Sequence, residues 1–398
     1  MKVFVFDLLP YDTHLAHLKQ ADGELPYPLS KIHCDPKIVA RTYDEHLDAW
    51  EEIDKLGFDG IAFNEHHTSP YGLMNSPNLL AAAAAQRTKN VKLLIYANLL
   101  PLHHPLRLAE ELAMLDCMSH GRIISGFARG IPREYQVHNI PLSESRERFE
   151  EAYEIVTKAW SQDVFSFEGK FNSYKDIALW PRPYQQPGPP VWIPVTGSRE
   201  SIEWAAARNI PITPGVASDG LRNDVIKLYA QSLAQHGRMV TPDHISVPAN
   251  VFVADTKAQA IAQNAPYWLY FNTALFSHGN FTENSKQMGS GYVSASANDY
   301  VSAENLKAAE RARADYRNMT MADVEKQAQN MPWGSPDEVI AKLTGMADRA
   351  GAGTLLISMN RGSMPQDMFL AQIRRFARDV LPALHAHEVK ASPFAQAA

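Results

Sequence analysis

The sequence predicts an α/β protein built as a (β/α)8 TIM barrel, with insertions after the fourth and seventh strands. Eight short, β-rich apolar runs recur along the chain, each followed by helix. No switch to hairpins interrupts them, so the connections are expected to be parallel crossovers. The first strand-to-helix turn also lacks the glycine-rich fingerprint that the competing doubly wound dinucleotide fold requires.

Strand one is expected over Lys2 to Leu9, and a polar, proline-containing loop leads to a helix over Arg41 to Leu56 that Gly57 closes. Strand two, Phe58 to Asn64, runs into Glu65-His66-His67. Ser76 is read as the cap and Pro77 as the first residue of a helix reaching Arg87. Strand three is Val91 to Leu100, and Pro105 opens the next helix. Gly121 ends that helix, strand four follows as Arg122 to Phe127, and Arg129-Gly130 comes at once in the loop. Ser143 to Trp160 carries Phe149, Tyr153, Val156 and Trp160 at helical spacing. Residues 161–190 break the rhythm as an aromatic, proline-rich insertion, the kind of segment in which substrate pockets are built. Strands five, six and seven are read at Val191 to Val195, Ile210 to Thr213 and Val247 to Ala254. Residues 272–300, rich in Gly, Ser and Asn, read as a mobile lid. A capping box at Ser335 to Glu338 starts a helix ending near Gly351; Thr354 to Met359 is strand eight, and Gln366 to His385 the last helix.

At 398 residues, 45% hydrophobic and 21% charged, the composition allows one large domain or two smaller ones. The unbroken alternation favours one, over 1–387, with 388–398 as a disordered tail. A net charge of −6, both signs interspersed and no basic block, argues against nucleic acid or a membrane surface as partner and leaves a small molecule. Cys34 and Cys117 lack metal-ligand spacing and suit a reducing cytoplasm. The opening MKVFVFDLL reads as a strand rather than a signal peptide.

Barrel chemistry sits at strand C-termini, which selects the residues to weigh. Adjacent residues on an extended segment face opposite ways, so one of His66 and His67 should face the mouth, as a proton-handling group or a hydrogen-bonded loop residue. A metal needs more ligands than these two provide, and none is expected. Asn98 could donate to a ring carbonyl or satisfy loop backbone. Arg129 and Arg146 could clamp one phosphate, although Arg146 also has Glu150 at ion-pair spacing. Thr196, Gly197, Ser198 and Ser201 begin a helix whose N-terminus favours an anion, and simple capping would also explain Ser198. Taken together, they are expected to form a monophosphate site.

Four segments carry a resemblance: FDGIAFNEHH, SPNLLAAAAAQRTKNVKL, LLPLHHPLRLAEELAMLDCMSHGRI, and SGFARG followed by SESR. They resemble the bacterial luciferase-like, flavin-dependent monooxygenase superfamily. The resemblance implies a TIM barrel with reduced FMN at its C-terminal mouth, supplied by a separate NAD(P)H:flavin reductase. Arg129 and Arg146 match its phosphate-binding arginines, and Ser198 and Ser201 its phosphate-binding hydroxyls. His66 matches the catalytic histidine, and Tyr96-Ala97 a cis peptide under the flavin ring. Glu65, Asn98, Thr196 and Gly197 complete the expected cofactor contacts. The implied reaction uses O2 to oxygenate a small, largely apolar organic substrate through a flavin hydroperoxide, by hydroxylation or Baeyer–Villiger-type insertion. A homodimer is implied through the helices after strands two and three. Ala128 and Gly197 depart from luciferase itself, which has cysteine and glutamate there. A deazaflavin-dependent hydride transferase and a non-catalytic flavin-binding protein are the alternatives, and substrate choice is expected to reside in 161–190 and 272–300.

Overall fold

The computed structural model describes residues 1–20, 23–215, 218–276, 278, 299–305, 307, 316, 318–389 and 394. Strands β1 (Lys2–Asp7), β2 (Gly60–Phe63), β3 (Lys92–Leu99) and β4 (Ile123–Ala128) alternate with helices α1 (Pro36–Lys55), α2 (Pro77–Arg87) and α3 (Pro105–Met118). After β4 come the short α4 (Pro132–His138) and α5 (Ser145–Ser161), then a hairpin of β5 (Phe165–Glu168) and β6 (Ser173–Ile177). The alternation resumes with β7 (Val191–Val195), α6 (Arg199–Ala207), β8 (Ile212–Pro214), α7 (Asp219–Gln235) and β9 (Ser246–Asn250). A short β10 (Phe252–Val253) precedes α8 (Lys257–Tyr270), which continues as a π-helix over Phe271–Phe276. The described chain ends through α9 (Met321–Ala328), β11 (Trp333–Gly334), α10 (Pro336–Ala350), β12 (Thr354–Ser358), α11 (Gln366–Asp379) and α12 (Leu381–Ala386).

Eight of the strands form one parallel sheet in the order β8-β7-β4-β3-β2-β1-β12-β9, and a parallel bridge from Ile212 to Ile245 closes it. The expected barrel is therefore present. Its interior is a small apolar layer of Phe4, Ala62, Leu94, Tyr96, Ile124 and Leu356, while a larger core fills the space between strands and helices. Helix α1 is fixed to the end of β1 through buried Asp7, which accepts from Trp50 Nε1 at 2.8 Å and pairs with His46 Nδ1 at 2.5 Å. Beside β4, the register of β3 shifts between Ile95 and Asn98, and the Tyr96-Ala97 peptide is cis. A Cβ at Gly126 would lie 2.2 Å from the Ile95 carbonyl oxygen, so only glycine lets the two strands approach there.

Several expectations need correction. The 161–190 insertion carries a hairpin of β5 and β6 that the sequence reading did not anticipate. It lies against α5, where Glu151 accepts from the backbone of Lys170 and Phe171 and from Asn172 Nδ2 at 2.7–3.1 Å. Strand seven divides into β9 and β10, the second pairing with β11 outside the barrel. The last helix breaks at Val380, before Pro382. Ser76 makes no side-chain cap to α2. Ser335 and Glu338 do form their capping box, and Gly351 ends α10 at a φ of 63°. Most of the expected lid at 272–300 and of the tail at 388–398 lies outside the described residues. Among the described residues, no helix is long and apolar enough to cross a membrane.

Candidate active site at the barrel mouth

A cavity of about 360 Å³ lies at the C-terminal ends of the barrel strands. Phe6, Glu65, His66, Tyr71, Tyr96, Ala97, Arg129, Arg146, Thr196 and Ser201 all contribute to its wall. Strand alternation parts the adjacent histidines as expected: His66 faces this cavity, whereas His67 lines a neighbouring one of about 810 Å³ between the loops after β1 and β2.

His66 Nδ1 lies 3.1 Å from Glu134 Oε1. Glu134 is buried at the start of α4, and its other oxygen accepts from Ile131 N at 2.9 Å. That second bond fixes the carboxylate before the histidine meets it. A Cβ on Gly130 would sit 2.8 Å from Glu134 Oε2, so this glycine, at a φ of 86°, leaves room for the pair. Sequence reasoning missed Glu134, although an acidic residue three positions after Ile131, with Pro132 between, is the signature of a helix start.

Glu65 forms a second buried cluster. Its carboxylate accepts from His103 Nε2 at 2.9 Å, His67 Nε2 at 3.0 Å, Leu99 N at 3.2 Å and Asn98 Nδ2 at 3.3 Å. Burial pushes its pKa up, but the hydrogen bonds and charges of His103 and His67 outweigh burial and bring the carboxyl down to about 2. Burial in turn lowers His103, and Glu65 more than reverses this, so His103 titrates above its ordinary value. Glu65 thus reaches the cavity as a fully engaged anion. Asn98 is completely buried, its amide nitrogen donates to Glu65, and it is not among the residues that line the cavity.

The third cluster joins β4, α5 and α6. Arg146 Nη2 donates to Ser201 Oγ at 3.3 Å and Ser198 Oγ at 3.4 Å, while Nη1 lies 3.5 Å from Glu150. The ion pair with Glu150 weighed from sequence is therefore present, and Arg146 also meets the two serines. Ser198 does not cap α6; its hydroxyl donates to Glu200 at 2.6 Å. Neither Ser198 nor Gly197 lines the cavity, and the Gly197 carbonyl accepts from Tyr300 Oη at 2.7 Å. Arg129 Nη1 reaches Ser145 Oγ at 3.5 Å. Burial lowers the Arg146 pKa, and the positive charge of Arg129 lowers it further against the raising effect of Glu150 and Glu200.

These donors fit the phosphate of FMN. Two cations held together gain from a dianion between them, and the Ser201 hydroxyl in the cavity wall adds a neutral donor. Trp204, in the same wall, has a buried Nε1 with no hydrogen-bond partner among the described residues, a further donor that sequence reasoning did not single out. No residue of 161–190 lines the cavity, so the aromatic insertion does not build this pocket. It joins the C-terminal end of α5 to the N-terminal end of a barrel strand, and chemistry belongs to the opposite connections.

A family model described as luciferase-like monooxygenase matches residues 23–353. The alkanal monooxygenase alpha chain of the Kryptophanaron alfredi symbiont is 27% identical over 339 residues, 83% of this chain and 90% of that one. An uncharacterised Sinorhizobium fredii protein, y4wF, is 40% identical over 173 residues, where the match spans 43% of this chain and half of that relative. In fold, the chain resembles the oxygenating constituent of 3,6-diketocamphane monooxygenase from Pseudomonas putida, a type II Baeyer–Villiger monooxygenase solved with FMN. The TM-score is 0.68 at 20% identity, over 96% of this chain and 98% of that one. With its eight-stranded barrel and a family match spanning most of its length, the chain belongs to the luciferase-like monooxygenase family.

Proposed function

We propose that the mouth binds reduced FMN, delivered by a separate NAD(P)H:flavin reductase, and that the protein uses O2 to oxygenate a small organic substrate. One observation carries this: Arg129, Arg146 and Ser201 line the same cavity as the His66–Glu134 pair. The FMN in the complex of the Pseudomonas putida neighbour supports the choice of flavin.

Reduced flavin, when bound, supplies two electrons and the site at which O2 is activated. The chain's own residues do the rest. Arg129 and Arg146 neutralise the phosphate, Ser201 fixes its orientation while Ser198 holds Arg146 in place, and Tyr96 and Ala97 provide cavity wall for the ring. Glu134 accepts the Nδ1 proton of His66 and so leaves Nε2 as the atom that takes or returns a proton at the reacting centre. The apolar wall of Phe6, Phe127, Phe149 and Ile193 keeps water from competing. The protein is taken to work in the cytoplasm as a homodimer, with exposed Leu79, Met114 and Met118 on α2 and α3 as the apolar candidates for the shared face.

The test supplies photoreduced FMN and isotopically labelled O2 with a panel of ketones, aldehydes and aromatics. Label in a product supports oxygenation. Turnover only with a reduced deazaflavin, and without label, would replace the proposal with hydride transfer.

A further inference from the structure

Arg361 is a cation that the chemistry above leaves unused. It follows β12 at the barrel mouth, across the ring of strands from the phosphate-binding cluster on β4 and β7. Its Nε donates to Ser358 Oγ at 2.6 Å, and Ser358 is completely buried two residues beyond Leu356 of the barrel interior. The guanidinium therefore caps the inside of the barrel rather than its outer face. Its carbon lies 5.7 Å from the Phe6 ring centre and 5.4 Å from that of Phe271. Arg361 is partly exposed and is not itself in the wall of the mouth cavity; its neighbour Phe6 is, as is Tyr71, whose ring lies 5.9 Å from Phe271.

Among the described residues no Asp or Glu forms an ion pair with Arg361, and Tyr71 and Tyr316 raise its pKa against the larger lowering effect of burial. Buried charges are normally paired, because desolvation is otherwise uncompensated. Aromatic faces relieve part of that cost without supplying an acceptor for the Nη groups. The loop holds the side chain in place. Ser363 Oγ donates to the Tyr11 carbonyl at 3.1 Å, Asn360 Oδ1 accepts from Met364 N at 3.2 Å, and a Cβ at Gly362 would lie 2.2 Å from the Tyr267 carbonyl oxygen. A fixed guanidinium fork beside aromatic walls is built for a planar anion with an apolar body.

We propose that Arg361 determines specificity by binding a carboxylate on the substrate, so that the substrate of the oxygenation proposed above is an apolar carboxylic acid. This rests on the mouth being the oxygenation site.

The test titrates 4-phenylbutanoate and its uncharged primary amide into FMN-saturated protein by calorimetry, with FMN keeping the probe off the Arg129–Arg146 cluster. Wild-type protein should bind the acid at least tenfold tighter than the amide. Arg361→Met should bring the two within about twofold, and Arg361→Lys should restore part of the preference. FMN affinity and melting temperature, measured on each variant, verify folding and test the flavin site separately. Equal binding of acid and amide by the wild type, failure of both to bind, or a preference that survives in Arg361→Met overturns the proposal. Equal weakening of both ligands in Arg361→Met assigns the residue to packing of the Phe271 helix and overturns it too.

Discussion

His66 Nδ1 and Glu134 Oε1 lie 3.1 Å apart at the mouth of the barrel, the carboxylate already anchored by the Ile131 amide. The pair orients one ring nitrogen and frees the other, as a general acid or base requires. His66→Ala should therefore lower turnover by about 10²-fold or more while leaving FMN affinity within a few-fold. Glu134→Gln, which can still accept from Ile131, should lose a smaller part of the rate. Single-turnover kinetics with a flavin-binding titration check both, and unchanged turnover in His66→Ala would reduce the histidine to a structural contact.

Arg146 is predicted to act on the phosphate rather than on the flavin ring. Hydrogen bonds to charged groups are worth roughly 1.5–3 kcal/mol, on the order of a tenfold to hundredfold change in affinity. Arg129→Ala and Arg146→Ala should each weaken FMN by that much and leave riboflavin, which has no phosphate, almost unaffected. Equal losses for FMN and riboflavin would remove the phosphate assignment.

Much of this arrangement was legible because local signals and tertiary position agree. Gly121 marks the end of α3, Ile123–Ala128 is apolar and short, and Arg129 follows immediately, so strand, mouth and arginine come from one stretch. The insertion misled because aromatic and proline content says nothing about which end of the barrel a segment joins; that Glu151 would bind its tip depends on a contact about twenty residues away. Asn98 stands at the expected strand end, but its donation to Glu65 depends on a residue of the neighbouring strand's loop and could not be read from its own segment. Glu134, Trp204 and Arg361 sit in sequence that helix starts, core packing or loop polarity would explain equally well. Only the folded chain shows what faces them.

Glu65 and His103 make a pH-dependent contribution to stability whose sign follows from their shifts. The Glu65 carboxyl, depressed to about 2, stabilises the fold above its ordinary 4.5, and that part is lost as pH falls toward 2. His103 is raised above 6.5, so its part is complete below that value and fades as pH rises through the folded-state pKa. Thermal melts of wild type and His103→Gln should differ most between pH 4.5 and 6.5, by on the order of 1 kcal/mol, and converge at higher pH. A gap that stays constant across pH would show that the pair is not charged in the way described.

His278 carries the opposite dependence. Its Nε2 lies 3.2 Å from the Pro26 carbonyl oxygen and must donate, so Nδ1 is left to accept from Ser69 Oγ at 3.1 Å and Arg133 Nη1 at 3.3 Å. A proton on Nδ1 would cancel both of those bonds and set a second positive charge against Arg133. Burial first, and the Arg133 charge second, accordingly bring its pKa down to about 4. A base depressed in the folded state loses stability as pH falls from its ordinary 6.5 toward 4, because the open form takes up the proton and the closed form does not. The full effect is on the order of 3 kcal/mol. Amide hydrogen-exchange protection at residues 67–75, which include Ser69 and Tyr71, measured relative to the intrinsic exchange rate at each pH, should fall over that pH range in the wild type. His278→Gln should exchange faster at neutral pH and respond less to acid. The same acid response in both proteins would place the titration elsewhere.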